Sequence, residues 1–82
     1  VNALRTTRDK VLLELSQSGA PIELSALAPF GLRTVRGADV GASAALERGD
    51  LEIQDEGSQL VAHLVGAKPG MQVLDLCAGA GG

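Results

Sequence analysis

Val73-Leu74-Asp75-Leu76-Cys77-Ala78-Gly79-Ala80-Gly81-Gly82 closes the sequence and decides how the rest is read. Val73, Leu74 and Leu76 are apolar and follow the turn signal Pro69-Gly70, so residues 73–76 are expected to form a short buried strand. After Leu76 the composition shifts to small residues, among them three glycines. Glycine turns a backbone at positive φ and lets a ligand approach with no Cβ in the way. A strand that delivers a carboxylate (Asp75) into a glycine-rich turn is the front half of a nucleotide-type cofactor site in an open α/β sheet. The helix that completes such a site is not within these 82 residues.

The glycine spacing narrows the cofactor. Dinucleotide sites need G-x-G-x-x-G, and Gly79-Ala80-Gly81-Gly82 leaves no place for the third glycine, which disfavours a nicotinamide-dependent oxidoreductase. A glycine-rich connector without a ligand is the plain alternative.

Composition sets the outer limits. Hydrophobic residues make up 45% of the 82, but Phe30 is the only aromatic, so a core of Leu, Val and Ala is expected to be marginally stable. Cys77 is the only cysteine. A disulfide framework is excluded, nothing implies an oxidising compartment, and the expected location is cytoplasmic. No apolar run reaches membrane-spanning length, and the start lacks a signal-peptide pattern, so no membrane partner is expected. No Cys, His or carboxylate cluster has metal-ligand spacing, so no metal is expected either. The first residue is not Met and the last falls inside a motif; the chain therefore reads as an excerpt from a longer protein.

The net charge of −3 is unevenly spread. Residues 1–36 hold five basic against three acidic side chains, and residues 37–82 hold two against seven. A basic front and an acidic back suit an RNA-docking module ahead of a cofactor domain, although ordinary solvated charges explain the balance equally well.

Along the chain, Val1-Asn2-Ala3-Leu4 alternates and suggests a short strand. Thr6 or Thr7 can cap the helix that follows, with Asp9 at its positive end. Val11, Leu12 and Leu15 share a face that Leu13 broadens, while Glu14 and Gln17 point away. Gly19 stops this helix and Pro21 prevents its resumption. Leu24, Leu27 and Phe30 read as a helical turn or a packed loop. Leu32-Arg33-Thr34-Val35-Arg36 alternates as a half-exposed strand ending at Gly37. Ser43 can cap a short helix over 44–48 closed by Gly49, and Leu51-Glu52-Ile53-Gln54 is a further strand candidate. Asp55 or Ser58 can cap the clearest helix, with the apolar stripe Leu60, Val61, Leu64 and Val65 and with Gly66 as its stop.

Three blocks then stand in order: Gln54-Asp55-Glu56-Gly57-Ser58-Gln59-Leu60, Lys68-Pro69-Gly70, and the closing Asp75-x-Cys77-Ala78-Gly79-x-Gly81-Gly82. Together they resemble the Sun family of bacterial rRNA cytosine-5 methyltransferases. The opening Val1-Asn2-x-Leu4-x-Thr6-Thr7-Arg8 looks like that family's small RNA-binding subdomain. The resemblance implies an α+β fragment. Residues 1–50 would be a small α+β module related to RNA-recognition folds, and residues 51–82 the first helix and strand of a Rossmann-like methyltransferase domain.

It further implies S-adenosylmethionine as cofactor, bound by Asp75 and the loop Cys77, Ala78, Gly79, Ala80, Gly81 and Gly82. RNA, most simply ribosomal, is the implied partner. In the family a cysteine thiolate adds to cytosine carbon 6 so that carbon 5 can take the methyl group, since an aromatic pyrimidine carbon needs covalent activation before it can attack. A second cysteine then helps to release the enzyme. Both cysteines belong to later motifs absent here, so no catalytic residue is expected in this chain. Cys77 is read as a small packing residue.

Arg5, Arg8 and Lys10 are the candidate phosphate contacts, although charges at a helix start are commonly just solvated. His63, on the polar face of its helix, reads as a solvated histidine. For Asp75 and Asp55, a loop-capping and a helix-capping role respectively are the local alternatives. A non-catalytic RNA-binding module that keeps the same fold is the rival functional reading.

Overall fold

Threonine 7 starts the first ordered element. Its backbone is extended, and its Oγ1 accepts from the Lys10 amide at 3.4 Å, satisfying one of the amides that a helix start leaves without a partner. In the computed structural model, which describes residues 1–35, 38–79 and 81, helix α1 then runs over Arg8–Gln17. It stops at Ser18, and Gly19 takes the positive φ of 83° that the expected stop requires.

The chain reverses into strand β1, Ile22–Leu24, which pairs antiparallel with β2, Leu32–Thr34, in the register Ile22↔Thr34, Glu23↔Arg33, Leu24↔Leu32. Glu23 and Arg33 are directly opposite and lie 3.7 Å apart, both side chains more than half exposed. Helix α2, Ala44–Glu47, is capped by Ser43 and closed by Gly49 at φ 73°, as its sequence predicts. Helix α3, Glu56–Leu64, is capped by Asp55, whose Oδ2 accepts from the Gly57 and Ser58 amides at 2.9 and 3.3 Å; Gly66 follows it at φ 64°.

The described residues thus form three helices and a two-stranded antiparallel sheet, an α+β arrangement. Its core joins Val11 and Leu15 of α1 to Ala45 of α2 and to Leu51, with Ile22, Leu32, Val40 and Leu46 packed around them.

Several strand expectations are not met. Val1–Leu4 is a turn: Asn2 Oδ1 accepts from the Leu4 amide and its carbonyl accepts from Arg5 and Thr6, while its own amide makes one isolated bond, to the Asp50 carbonyl at 2.9 Å, and no ladder follows. Leu51–Gln54 has no ladder either; Leu51 is buried, but Ile53 is 63% exposed. Strand β1 falls where a loop or helical turn was expected, because the reversal over 25–31 returns the chain alongside it. The far end expected for the second strand, Arg36 and Gly37, lies outside the described residues.

Val73–Leu76 is irregular and exposed, with Leu74 at 81% and Leu76 at 86%. Its apolar side chains ask for a sheet covered on both faces, and among the described residues the only sheet is β1–β2, to which it does not pair. The stripe expected on α3 forms but is likewise uncovered, with Val61 65% and Leu64 82% exposed. A radius of gyration of 13.3 Å, and a long axis of 39 Å against 22 Å for the other two, record this open end. A compact chain of this length would measure about 12 Å.

An arginine fork secures α2 to α1. Arg48 Nη2 donates to both Glu14 oxygens, at 3.1 and 2.8 Å, and its Nε donates to Asp50 Oδ2 at 3.0 Å. Arg5 Nε donates to the other Asp50 oxygen at 3.4 Å. These hydrogen bonds, first that from Arg48, hold the Asp50 carboxyl below its ordinary value of 3.8.

Two predictions follow from this packing. Leu15→Ala is expected to lower the unfolding free energy by about 2–5 kcal/mol. Leu4→Ala, at a side chain that is 98% exposed, should change it by less than about 0.5 kcal/mol. Urea midpoints read by far-UV circular dichroism check this, and equal shifts would place the core elsewhere. Because the Asp50 pKa is depressed on folding, its contribution is complete above 3.8 and is lost as the pH falls through the lower folded value. Asp50→Asn is therefore expected to be less stable than the parent chain at pH 7, with the two converging in strong acid. A gap that stays constant down to pH 2 would show that the charge is not the cause.

Candidate functional site

The closing stretch begins at a turn. Pro69-Gly70 occupies its centre, with Gly70 at φ 86° and the Met71 amide donating to the Lys68 carbonyl at 3.0 Å. Proline fixes the first central position and glycine supplies the positive φ of the second. The chain then runs back past α3. Asp55, Gly57 and Val61 form one side of an open groove, and Leu74, Asp75 and Ala78 form the other.

Inside that second wall, Asp75 Oδ1 accepts from the Cys77 amide at 3.0 Å, so the carboxylate folds the entry of the glycine loop over itself. The Gly81 amide donates to the Ala78 carbonyl at 2.8 Å, closing a second turn. Gly79 and Gly81 have φ of 57° and 84°, a conformation that side chains rarely adopt. A Cβ built on either would meet nothing within 4 Å, so the loop lies open.

The sequence-predicted cofactor residues thus fall into two linked pairs, Asp75 with Cys77 and Ala78 with Gly81, with Gly79 between them; Ala80 and Gly82 lie outside the described residues. Cys77, expected to pack, is an exposed free thiol, because no helix or strand among the described residues covers it. The loop-capping role weighed for Asp75 is the one its geometry displays, with Oδ1 engaged by the Cys77 amide. Of the basic candidates, Arg5 is paired with Asp50, and Arg8 is half-buried and donates to the carbonyls of Ser25 and Ala28, both at 3.4 Å. Lys10 is exposed, as is His63 near the end of α3. Among the described residues no group of three His, Cys, Asp or Glu side chains could hold a metal ion. None of their helices is long and apolar enough to cross a membrane.

Sequence reasoning missed the polar knot of Arg8, Ser25 and Glu56. Ser25 is buried at 6% exposure and bonded to Glu56 at the start of α3. The available signal was the run Ser25-x-x-Ala28-Pro29-Phe30-Gly31, a serine-anchored turn.

A capped helix followed by a carboxylate and a glycine loop is the arrangement by which the closing stretch resembles methyltransferases, and the chain matches such proteins along its whole length. It is 33% identical over 82 residues to the probable ribosomal RNA small subunit methyltransferase B of Bacillus subtilis strain 168. It is 32% identical over the same length to ribosomal RNA small subunit methyltransferase B of Pseudomonas syringae pv. tomato and to that of Pseudomonas putida. The chain is a relative of these proteins throughout, and it spans 18–19% of their length. No protein-family model matches it, and no solved structure does.

The exposure of Cys77 leads to a direct check. A thiol reagent such as 5,5′-dithiobis(2-nitrobenzoate) is expected to label the folded chain completely without denaturant, at a rate within about threefold of a small free thiol. Protection that disappears only in urea would show that the loop is covered.

Proposed function

We propose that this chain is part of an S-adenosylmethionine-dependent enzyme that methylates carbon 5 of a cytosine in ribosomal RNA. The observation that carries the reading is the whole-chain match to ribosomal RNA small subunit methyltransferases, which includes the capped helix and the carboxylate–glycine loop. In this reading residues 1–50 are an RNA-binding module, and residues 51–82 open a Rossmann-like catalytic domain working in the cytoplasm. The uncovered side chains of Val73, Leu74 and Leu76 suit a strand that is buried inside the parallel sheet of such a domain.

The loop fits one wall of the cofactor site. Gly79 and Gly81 lack the side chains that would keep a ligand from the backbone, and Asp75 retains a second carboxylate oxygen beside them. Asp75, Cys77, Ala78, Gly79 and Gly81 would hold the cofactor, together with Ala80 and Gly82. When bound, the cofactor supplies a methyl group on a positively charged sulfur. The part of this chain is to bind and orient; Cys77, in the cofactor loop, is not the attacking thiolate. Because the groove is open, the opposite wall of the pocket is left to the rest of the enzyme.

The test uses the complete protein that carries this chain, incubated with methyl-tritiated S-adenosylmethionine and undermethylated small-subunit rRNA. Label on cytosine carbon 5 is the expected result; label on another base, or none, would overturn the assignment. The 82-residue chain alone is expected to show no calorimetric binding at micromolar cofactor, and micromolar affinity would mean that it organises a site unaided. For RNA, Lys10 is the exposed candidate, whereas Arg5 and Arg8 are engaged within the fold. Lys10→Glu in the complete protein should weaken RNA binding and lower the salt slope by about one counterion. An unchanged slope would remove Lys10 from the interface.

A further inference from the structure

Helix α3 forms one side of the groove through Asp55, Gly57, Ser58 and Val61, and its first residue, Glu56, is bound to the N-terminal half of the chain. The attachment runs through a single buried hydroxyl. Ser25 Oγ accepts from the Leu27 and Ala28 amides at 3.1 and 2.8 Å and donates to Glu56 Oε1. A hydroxyl has one hydrogen to give and two lone pairs to receive, so Ser25 is saturated. The same turn is held from the other side by Arg8 of α1, whose Nη1 donates to the carbonyls of Ser25 and Ala28.

Gly31, where the turn closes, permits α3 to come this near. A Cβ there would stand 2.8 Å from Ala28 Cβ, 2.9 Å from Ser25 Cβ and 3.0 Å from Gln59 Oε1. Gln59 itself is held by a 3.1 Å bond from its Nε2 to the Gln54 carbonyl.

We propose that Arg8, Ser25 and Glu56 form a joint that fixes α3, and with it one wall of the groove, to the N-terminal half of the chain. They are positioning residues: α1, the 25–31 turn and α3 move together through them. Arg8, a candidate phosphate contact by sequence, is in this view a structural pin. The bearing of the joint on catalysis rests on the methyl-transfer reading; the joint itself does not.

Amide hydrogen exchange, resolved by residue, tests it in Ser25→Ala, Glu56→Ala and Glu56→Gln. Glu56→Ala is expected to speed exchange in α3 by about fivefold to tenfold, the size of one lost hydrogen bond, and Ser25→Ala, which also removes the acceptor of the Leu27 and Ala28 amides, by at least as much, while Val11 and Leu15 amides keep their rates. Glu56→Gln, whose side-chain oxygen still accepts the serine hydrogen, should stay within about twofold of the parent. The double variant Ser25→Ala/Glu56→Ala should exchange no faster than the faster single variant, because both remove the same bond. The joint is overturned if α1 and α3 accelerate together, if α3 does not respond, or if the double variant is additive. It is overturned equally if Glu56→Gln matches Glu56→Ala, for then the charge at the helix start is what matters. No substrate enters the experiment, so its failure would leave the methyl-transfer reading standing.

Discussion

Four apolar side chains carry this fold: Val11 and Leu15 on one face of α1, against Ala45 and Leu51. Ala45 is completely buried within this cluster. Beside the cluster, Arg48, one residue past α2, reaches Glu14 on α1 and Asp50. A planar guanidinium can serve both carboxylates at once, whereas a lysine ammonium has no such fork. The ion pairs are exposed and individually weak, so they fix the register of a contact that burial stabilises.

Away from this contact, polar groups replace apolar ones. The 25–31 turn is built on the Ser25 hydroxyl, and α3 is attached to it through Glu56, with Gln59 lying close to Gly31, rather than through the exposed Val61 and Leu64 of its stripe. The two faces of α3 therefore differ in kind. One is tied to the N-terminal half by the Ser25–Glu56 hydrogen bond, and the other lines an open groove with Leu74 and Asp75.

What could be read from the sequence was mostly local. Helix caps at Thr7, Ser43 and Asp55, and the stops at Gly19, Gly49 and Gly66, depend on residues within a few positions of one another, and the structure places them as expected. Of the expected strands, the one starting at Leu32 forms as β2 over Leu32–Thr34, but the others were misread because a strand needs a partner that local pattern does not name. Val1–Leu4 and Leu51–Gln54 alternate correctly but meet no edge, while Ile22–Leu24 does not stand out in sequence and pairs because the turn after it returns. The candidate site was legible as composition, through Asp75 and the glycines. The contacts of Arg8 with Ser25 and of Ser25 with Glu56 span 17 and 31 residues, beyond any local signal.

Asp75 has a second consequence, for solubility. The run Val73-Leu74-Asp75-Leu76-Cys77-Ala78 is otherwise uncharged, apolar or small, and much of it faces solvent. Six such residues without a charge are the kind of segment that stacks against its own copies into a cross-β fibril. A carboxylate set between two leucines interrupts that stacking, because identical strands in register would place negative charges about 4.8 Å apart along the fibril. The residue that shapes the entry of the glycine loop thus also acts as a gatekeeper, keeping an uncovered strand-forming segment from finding copies of itself.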